Sequence, residues 1–158
     1  MAKRVIIFIM QENKSSETPL FADDHALTKK IVTAYKTVAV VGISKKEDRD
    51  SYRVAAYLKD NGFKIVPINP HADEVLGEKC YSSLADVPFK VDVVDVFRKP
   101  SALAELADEI IAARPKSAWF QLGVINNEAA KKIADSGIEM VQNLCIKIEH
   151  ARYSRGGA

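Results

Sequence analysis

One stretch of the sequence decides the fold: Val38-Ala-Val-Val-Gly-Ile-Ser-Lys-Lys-Glu-Asp-Arg-Asp-Ser-Tyr-Arg-Val-Ala-Ala-Tyr-Leu58. Its β-branched start predicts a buried strand over residues 37–41 that ends at Gly42. A basic loop with hydroxyl side chains follows, and a helix is predicted to begin near Ser51. A helix that begins just after a parallel strand presents free N–H groups and partial positive charge to an anion. The stretch therefore predicts a nucleotide phosphate site.

Four more apolar or β-branched runs are predicted as strands, and helical patterns separate them. The predicted strands cover residues 63–69, 91–97, 117–122 and 138–142, and the predicted helices cover residues 23–35, 51–60, 101–114 and 126–136. This alternation predicts an α/β fold: a Rossmann-like, doubly wound sheet of about five parallel strands with helices on both faces. We predict the strand order 3-2-1-4-5, which opens a crevice between the loops at residues 42–50 and 121–127. Pro67 lacks an N–H, so we expect it where the ladder of the second strand ends.

Length and composition are those of one globular domain without a nucleic-acid signature. The 158 residues suffice for a single core, and 47% hydrophobic with 28% charged residues is close to globular averages. A net charge of +2 creates no field that would attract nucleic acid. Cys80 and Cys145 lie far apart without a metal-binding spacing, which predicts two free thiols in a reducing compartment.

The N-terminal segment is set apart from the rest of the chain. We predict an N-terminal extension of unclear structure at residues 1–22 and one binding domain at residues 23–158. The apolar run at residues 5–10 is too short for a signal peptide, and it suits either an extra edge strand or an appended segment. No window approaches the roughly 18–20 apolar residues of a membrane span. We therefore expect a cytoplasmic protein without a membrane partner.

The loop after the first strand departs from the dinucleotide fingerprint G-x-G-x-x-G, because its three positions hold Gly42, Ser44 and Glu47. At the tip of the second strand, where an NAD-dependent dehydrogenase usually carries Asp or Glu, this chain has Asn69. A neutral Asn does not repel a phosphorylated ribose such as that of coenzyme A (CoA), whose 3′ position carries a phosphate. The cations available to phosphates in this region are Lys45, Lys46, Arg49 and Arg53.

Each of these features also has a structural explanation. A single Lys or Arg on a loop is more often a solvated surface residue than a ligand contact. Ser44 and Ser51 suit a turn and a helix N-cap, respectively. The loop composition alone thus leaves both interpretations open.

Eight segments along the chain share a pattern with one known family. They are Val40-Val-Gly-Ile-Ser44, Tyr52-Arg-Val-Ala55, Val66-Pro-Ile-Asn-Pro70, Leu76-Gly77, Tyr81-Ser-Ser-Leu-Ala-Asp86, Val94-Asp-Val-Phe-Arg98, Trp119-Phe-Gln-Leu-Gly123 and Cys145-Ile-Lys-Ile-Glu-His150. Together they resemble the small bacterial and archaeal CoA-binding proteins, which are stand-alone domains similar to the nucleotide-binding domain of the succinyl-CoA synthetase alpha subunit. The resemblance covers residues 23–153 and leaves out the N-terminal extension.

The resemblance implies a Rossmann-like domain that binds CoA or an acyl-CoA. With Arg49 added from the basic loop, the candidate CoA-binding residues are Gly42, Ser44, Lys45, Arg49, Tyr52, Asn69, Pro70, Phe97, Arg98 and Gln121. Phe97 would lie against the ligand and Arg98 would meet a phosphate; strand-end packing and a surface cation are the alternatives. The synthetase chains continue into a second domain that carries a phosphorylated histidine. No such domain is recognised here, so the resemblance implies binding rather than ligase chemistry.

The sequence offers no clear catalytic constellation, and we expect no independent enzymatic activity. Cys145 and His150 do not share a face in either an extended or a helical segment. Asp92 and Asp95 lie three apart on a strand and face opposite sides of the sheet, and no metal-ligand cluster is present in the sequence. The leading hypothesis is a CoA-binding module, carrier or sensor; the alternative is an NAD(P)-dependent oxidoreductase. Free CoA or acyl-CoA as ligand, and a protein partner or homo-oligomer, remain open.

Overall fold

A computed structural model describes residues 18–155 of the chain. The prediction for the apolar run at residues 5–10 lies outside the described residues. The helices are α1 (His25–Ala34), α2 (Asp50–Asp60), α3 (Leu103–Ala113), α4 (Asn127–Asp135) and α5 (Ile146–Ser154), with short 3₁₀ turns at Leu84–Asp86 and Pro100–Ala102. The strands are β1 (Thr37–Val41), β2 (Lys64–Ile68), β3 (Glu74–Val75), β4 (Glu78–Lys79), β5 (Val93–Val96), β6 (Ser117–Phe120) and β7 (Glu139–Gln142).

Five of these strands form one parallel sheet in the order β2-β1-β5-β6-β7, and β3 and β4 form a separate two-stranded sheet. The predicted α/β class, the five parallel strands and the helices on both faces are confirmed. The predicted strand order 3-2-1-4-5 is wrong: numbered the same way, the sheet runs 2-1-3-4-5. The third long strand, β5, pairs with β1 from Val38↔Val93 to Val41↔Val96 instead of pairing with β2. Both orders have short right-handed crossovers, so strand and helix succession alone does not distinguish them.

Pro67 carries the sequence signal that would have chosen the correct order. β2 is an edge strand, and the Pro67 carbonyl accepts a hydrogen bond from Tyr81 N (2.9 Å) on the side away from β1. A strand residue directs its N–H and C=O to the same side, so the N–H that Pro67 lacks would also have faced the outer edge. Proline is tolerated in edge strands and not in central ones. The predicted order would have made this strand internal.

Two apolar cores sandwich the sheet because alternate strand residues face opposite sides. Val38 and Val40 belong to one core with α1, α2 and α5, whereas Ala39 and Val41 belong to the other with α3 and α4. The strands therefore read as continuous apolar runs, as is typical of parallel sheets covered on both faces.

The segment just before α1 is tied to the domain by two buried amide side chains. Asn127 Oδ1 accepts from Leu20 N (2.9 Å), and Asn127 Nδ2 donates to Thr18 O (2.8 Å). Gln142 Nε2 donates to Leu20 O (3.0 Å) and to Asn127 Oδ1 (2.9 Å). Residues 18–21 thus lie along the outer edge of β7, where Gln142 N also donates to Phe21 O (3.1 Å). The division of the chain at residue 23 stays a prediction.

Candidate nucleotide-binding site

The site lies at the edge of the sheet where strand order reverses. From β1 the chain moves to β2 on one side and then returns to β5 on the other. Ligands of open α/β sheets bind in the crevice that such a reversal opens at the carboxyl ends of the strands. The loop after β1 therefore faces the loop after β5, at residues 97–99. The predicted pairing with the loop at residues 121–127 is wrong because β6 is not a neighbour of β1.

The backbones of these two loops approach closely at Gly42. Its backbone has φ +85°, and a Cβ at this position would lie 2.2 Å from Phe97 O and 3.0 Å from Arg98 Cδ. Only glycine combines this left-handed conformation with so close an approach of two backbones. Gly42 thus forms the floor between the end of β1 and the end of β5.

Two serine hydroxyls shape the loop that follows. Ser51 Oγ accepts from Ser44 N (2.9 Å), and Ser44 Oγ accepts from Lys46 N (3.0 Å). The N-cap residue of α2 is Arg49, whose side chain makes no capping hydrogen bond. The N-terminal N–H groups of an uncapped helix can receive an anion. Ser51, predicted as a cap, instead ties the start of α2 back to the loop.

We call the space over this loop the loop cavity. It measures about 490 Å³ and is lined by Gly42, Ser44, Lys46, Arg49, Asp50, Ser51 and Phe97. Two cations and the start of a helix surround it, against the single carboxylate of Asp50. That carboxylate lies 3.6 Å from Arg53 Nη1. The balance of charge favours an anionic group such as a phosphate.

A second space, which we call the strand-end cavity, lies on the other side of Gly42. It measures about 380 Å³ and is lined by Val41, Gly42, Ile68, Asn69, Pro70, His71, Ser82, Ser83, Leu84, Arg98, Leu106 and Glu109. Apolar residues make up about half of its lining and polar or charged residues the rest, and such a combination suits a small molecule with both kinds of group. Gly42 is the residue that lines both cavities.

Asn69 connects the loop after β2 to the loop after β1 beside the strand-end cavity. Its Nδ2 donates to Ile43 O (2.8 Å), and its Oδ1 accepts from His71 N (2.7 Å). These two hydrogen bonds fix the orientation of the neutral Asn69 side chain.

Asn69→Asp is expected to lower the free energy of unfolding by about 1–3 kcal/mol, because an ionised carboxylate cannot donate to the Ile43 carbonyl. Urea unfolding measures the change. His71→Ala is the control, since His71 shares this network only through its backbone N–H. Equal stability of Asn69→Asp and wild type would show that the bridge contributes nothing.

The structure brings seven of the ten predicted residues to the two cavities. The loop cavity holds Gly42, Ser44, Arg49 and Phe97, and the strand-end cavity holds Gly42, Asn69, Pro70 and Arg98. Their roles in ligand binding stay predictions. Lys45 is exposed on the loop and lines neither cavity, and Tyr52 packs beside the core of α1, α2 and α5. Gln121 is buried, and its Oε1 accepts from Ile146 N (3.0 Å) at the start of α5.

Sequence reasoning missed several residues of the strand-end cavity. His71 directly follows Asn69-Pro70, and Ser82 and Ser83 lie in the segment Tyr81–Asp86 that carried part of the family resemblance. All three residues therefore had a local signal in the sequence. Glu109 had none, because it lies in the middle of α3 and reaches the cavity only through the packing of that helix.

The segment with Cys145 and His150 packs against the core of α1, α2 and α5. It forms α5, in which His150 Nδ1 lies 2.8 Å from Tyr57 Oη. The His150 ring packs edge-on against the rings of Tyr57 and Phe63. Burial and, to a smaller extent, the charge of Lys36 lower the pKa of His150. Cys145 precedes the helix, and both cysteines are free thiols.

Within residues 18–155 no group of three or more His, Cys, Asp or Glu side chains could hold a metal ion. No helix in this range is long and apolar enough to cross a membrane.

The parallel sheet, the glycine at the strand reversal and the two cations, Lys46 and Arg49, beside the start of α2 are features of a Rossmann-like nucleotide-binding domain. The chain belongs to the CoA-binding domain family, whose model, described as a CoA binding domain, matches residues 36–151. This confirms the family resemblance predicted from the sequence segments.

Relatives and solved structures support this membership. The chain is 38% identical over 123 residues to the uncharacterized protein YneT of Bacillus subtilis (strain 168), covering 78% of this chain and 91% of that protein. It is 41% identical over 80 residues to the ADP-forming acetate–CoA ligase II of Archaeoglobus fulgidus, covering 47% of this chain but 12% of the ligase. The structure of a hypothetical protein from Pyrococcus horikoshii OT3 superimposes with a TM-score of 0.80 at 40% identity, covering 85% of this chain and 95% of that one.

Proposed function

We propose that this protein binds CoA or an acyl-CoA across the loop cavity and the strand-end cavity, as a binding module, carrier or sensor without catalysis of its own. The observation that carries the proposal is the pairing of two cations, Lys46 and Arg49, beside the start of α2 with a neutral Asn69 at the tip of β2. Family membership supports CoA as the ligand.

The residues present fit the phosphates of CoA. Lys46 and Arg49 line the loop cavity beside the uncapped start of α2, and together they suit a pyrophosphate. Arg98 lines the strand-end cavity next to Asn69, where a phosphorylated ribose would find a cation and no opposing carboxylate at the strand tip. Gly42 lines both cavities, and a Cβ at this position would collide with Phe97 O at 2.2 Å.

The absence of catalysis is inferred from the surroundings of the reactive side chains. Cys145 and His150, which a thiolate mechanism would pair, are separated by the first turn of α5, and His150 is engaged with Tyr57. The match to the acetate–CoA ligase covers 12% of that enzyme, so ligase activity is not carried over to this chain. The one relative named above with a stated activity is a CoA ligase, and Asn69 lacks the carboxylate that usually binds the ribose of NAD.

Lys46→Glu is expected to weaken CoA binding by about ten- to hundredfold, or roughly 1.4–2.8 kcal/mol, because a carboxylate replaces a phosphate-binding cation in the loop cavity. Isothermal titration calorimetry of CoA against wild type and variant measures the change.

Lys45→Glu is the matched control, with the same charge reversal on the adjacent residue, which lines neither cavity. Its effect should stay below about threefold near physiological salt, where screening is strong beyond roughly 8 Å. Equal losses of CoA affinity in the two variants would show that the loop attracts CoA by its general charge and that Lys46 makes no specific contact. Binding of NAD or NADP by wild type without binding of CoA would overturn the proposed function.

A further inference from the structure

Part of the strand-end cavity is lined by apolar side chains that suit a flat ring, and we call this part the slot. Ile68 from the end of β2, Leu84 from the 3₁₀ turn and Leu106 from α3 line it, and each of these side chains is buried. Apolar side chains from three separate elements accept the face of an aromatic base without a polar group being desolvated. The polar residues of this cavity are therefore available for hydrogen bonds to the edge of a base bound in the slot.

Glu109 is the one acidic residue among those that line this cavity. It follows Leu106 by three positions on α3, so it lies on the same side of the helix, about 4.5 Å further along the axis. Glu109 and Leu84 also line an adjoining groove of about 650 Å³, which places Glu109 where the slot meets that groove. Among the described residues the Glu109 carboxylate makes no hydrogen bond or ion pair.

The charge of Glu109 limits which part of a nucleotide can lie beside it. An ionised carboxylate accepts hydrogen bonds and donates none, and it repels a phosphate. The phosphates are attracted instead to the loop cavity, with Lys46 and Arg49, and to Arg98. A group that hydrogen-bonds to Glu109 is therefore a donor, either a ribose hydroxyl or the exocyclic 6-amino group of adenine. The apolar side chain of Leu106 on the same side of α3 favours the base, and hence the amino group, at this carboxylate.

We infer that Glu109 accepts a hydrogen bond from the 6-amino group of the adenine base and thereby fixes the direction in which the nucleotide lies across Gly42. The base occupies the slot of Ile68, Leu84 and Leu106, and the pyrophosphate lies toward α2. This inference rests on the proposed function, and it adds a base-reading residue that the sequence did not indicate.

The test compares two small probes, adenosine 3′,5′-bisphosphate and the purine riboside 3′,5′-bisphosphate that lacks the 6-amino group, by calorimetric titration. Wild type should bind the amino-bearing probe about tenfold more tightly, which is typical of one hydrogen bond to a charged acceptor. Glu109→Ala should bind the two probes equally, so that the effects of residue and amino group are not additive. Glu105→Ala, which removes the same charge from α3 outside both cavities, should keep the wild-type preference.

Equal binding of the two probes by wild type, or an unchanged preference in Glu109→Ala, would overturn the role of Glu109. Wild type that binds neither CoA nor adenosine 3′,5′-bisphosphate would instead overturn the proposed function itself.

Discussion

Gly42→Ala is expected to lower the free energy of unfolding by about 2–5 kcal/mol and to abolish CoA binding. The left-handed backbone at φ +85° costs a residue with a Cβ about 1–2 kcal/mol. The new Cβ would also lie 2.2 Å from Phe97 O, a backbone atom of the neighbouring loop that cannot move aside as a side chain would. Relief requires β1 and β5 to separate at their ends, at a cost comparable to overpacking a core, about 1–3 kcal/mol.

Gly123→Ala is the matched control for this variant. Gly123 has the same φ of +85°, but a Cβ there would meet no atom within 4 Å. It should therefore show the conformational cost of about 1–2 kcal/mol alone. Urea unfolding of both variants separates backbone conformation from close approach, and equal destabilisation would mean that the contact with Phe97 is relieved without cost.

Asp95→Asn is expected to remove a pH dependence of stability that wild type shows above mildly acidic pH. Asp95 lies in β5 between Val40 of β1 and Trp119 of β6, and its side chain is fully buried. Neither carboxylate oxygen has a hydrogen-bond partner among the described residues. Burial raises the pKa of Asp95 well above its usual value of 3.8, against a smaller opposing effect of the Val96 backbone N–H.

The sign follows from proton binding in the two states. Between pH 3.8 and the raised pKa of the folded protein, folded Asp95 keeps a proton that the unfolded chain has released. The free energy of unfolding of wild type therefore falls as pH rises through this window, by at most about 1.4 kcal/mol per pH unit. Asp95→Asn cannot titrate, so its stability relative to wild type should increase as pH rises from 3.8 toward the raised pKa of folded Asp95. Urea unfolding across this range measures the difference.

Asp92→Asn provides a control of opposite sign. Burial raises the pKa of Asp92, but the backbone N–H groups of Lys36 and Thr37 and the charge of Lys116 together lower it below the usual value. The stabilisation by Asp92 is thus present above pH 3.8 and is lost as pH falls through the folded pKa.

Parallel stability curves for wild type and Asp95→Asn above about pH 5 would contradict the assignment of a protonated buried acid.

Local patterns predicted most elements because strand and helix signals depend on nearby residues. The first strand was predicted at residues 37–41 and is Thr37–Val41, and the helix after it begins one residue earlier than predicted. Helix α5 was not predicted because its apolar residues do not share one face. Ile146 is 1% exposed and Ile148 is 52% exposed, so the segment lacks the periodicity of an amphipathic helix.

The candidate site was only partly predictable for a similar reason. Gly42, Ser44 and Asn69 stand at strand ends, where the sequence marks them by a glycine, a turn residue and a proline that follows. Gln121 also stands at a strand end, but the wrong strand order placed it in the crevice, whereas the structure buries it under α5. Glu109 lies within a helix and carries no local mark at all.

By itself the sequence determined the α/β class, the parallel strands, the glycine loop before α2 and the family to which the chain belongs. Only the tertiary structure decided which strand lies beside β1, and therefore that residues 97–99, not residues 121–127, complete the crevice. The physical reason is that strand formation and strand breaks depend on neighbours along the chain. The choice of sheet partner depends on packing between residues more than fifty positions apart, as for Val38 and Val93. The succession of strands and helices permitted both orders, and only Pro67 disfavoured the predicted one.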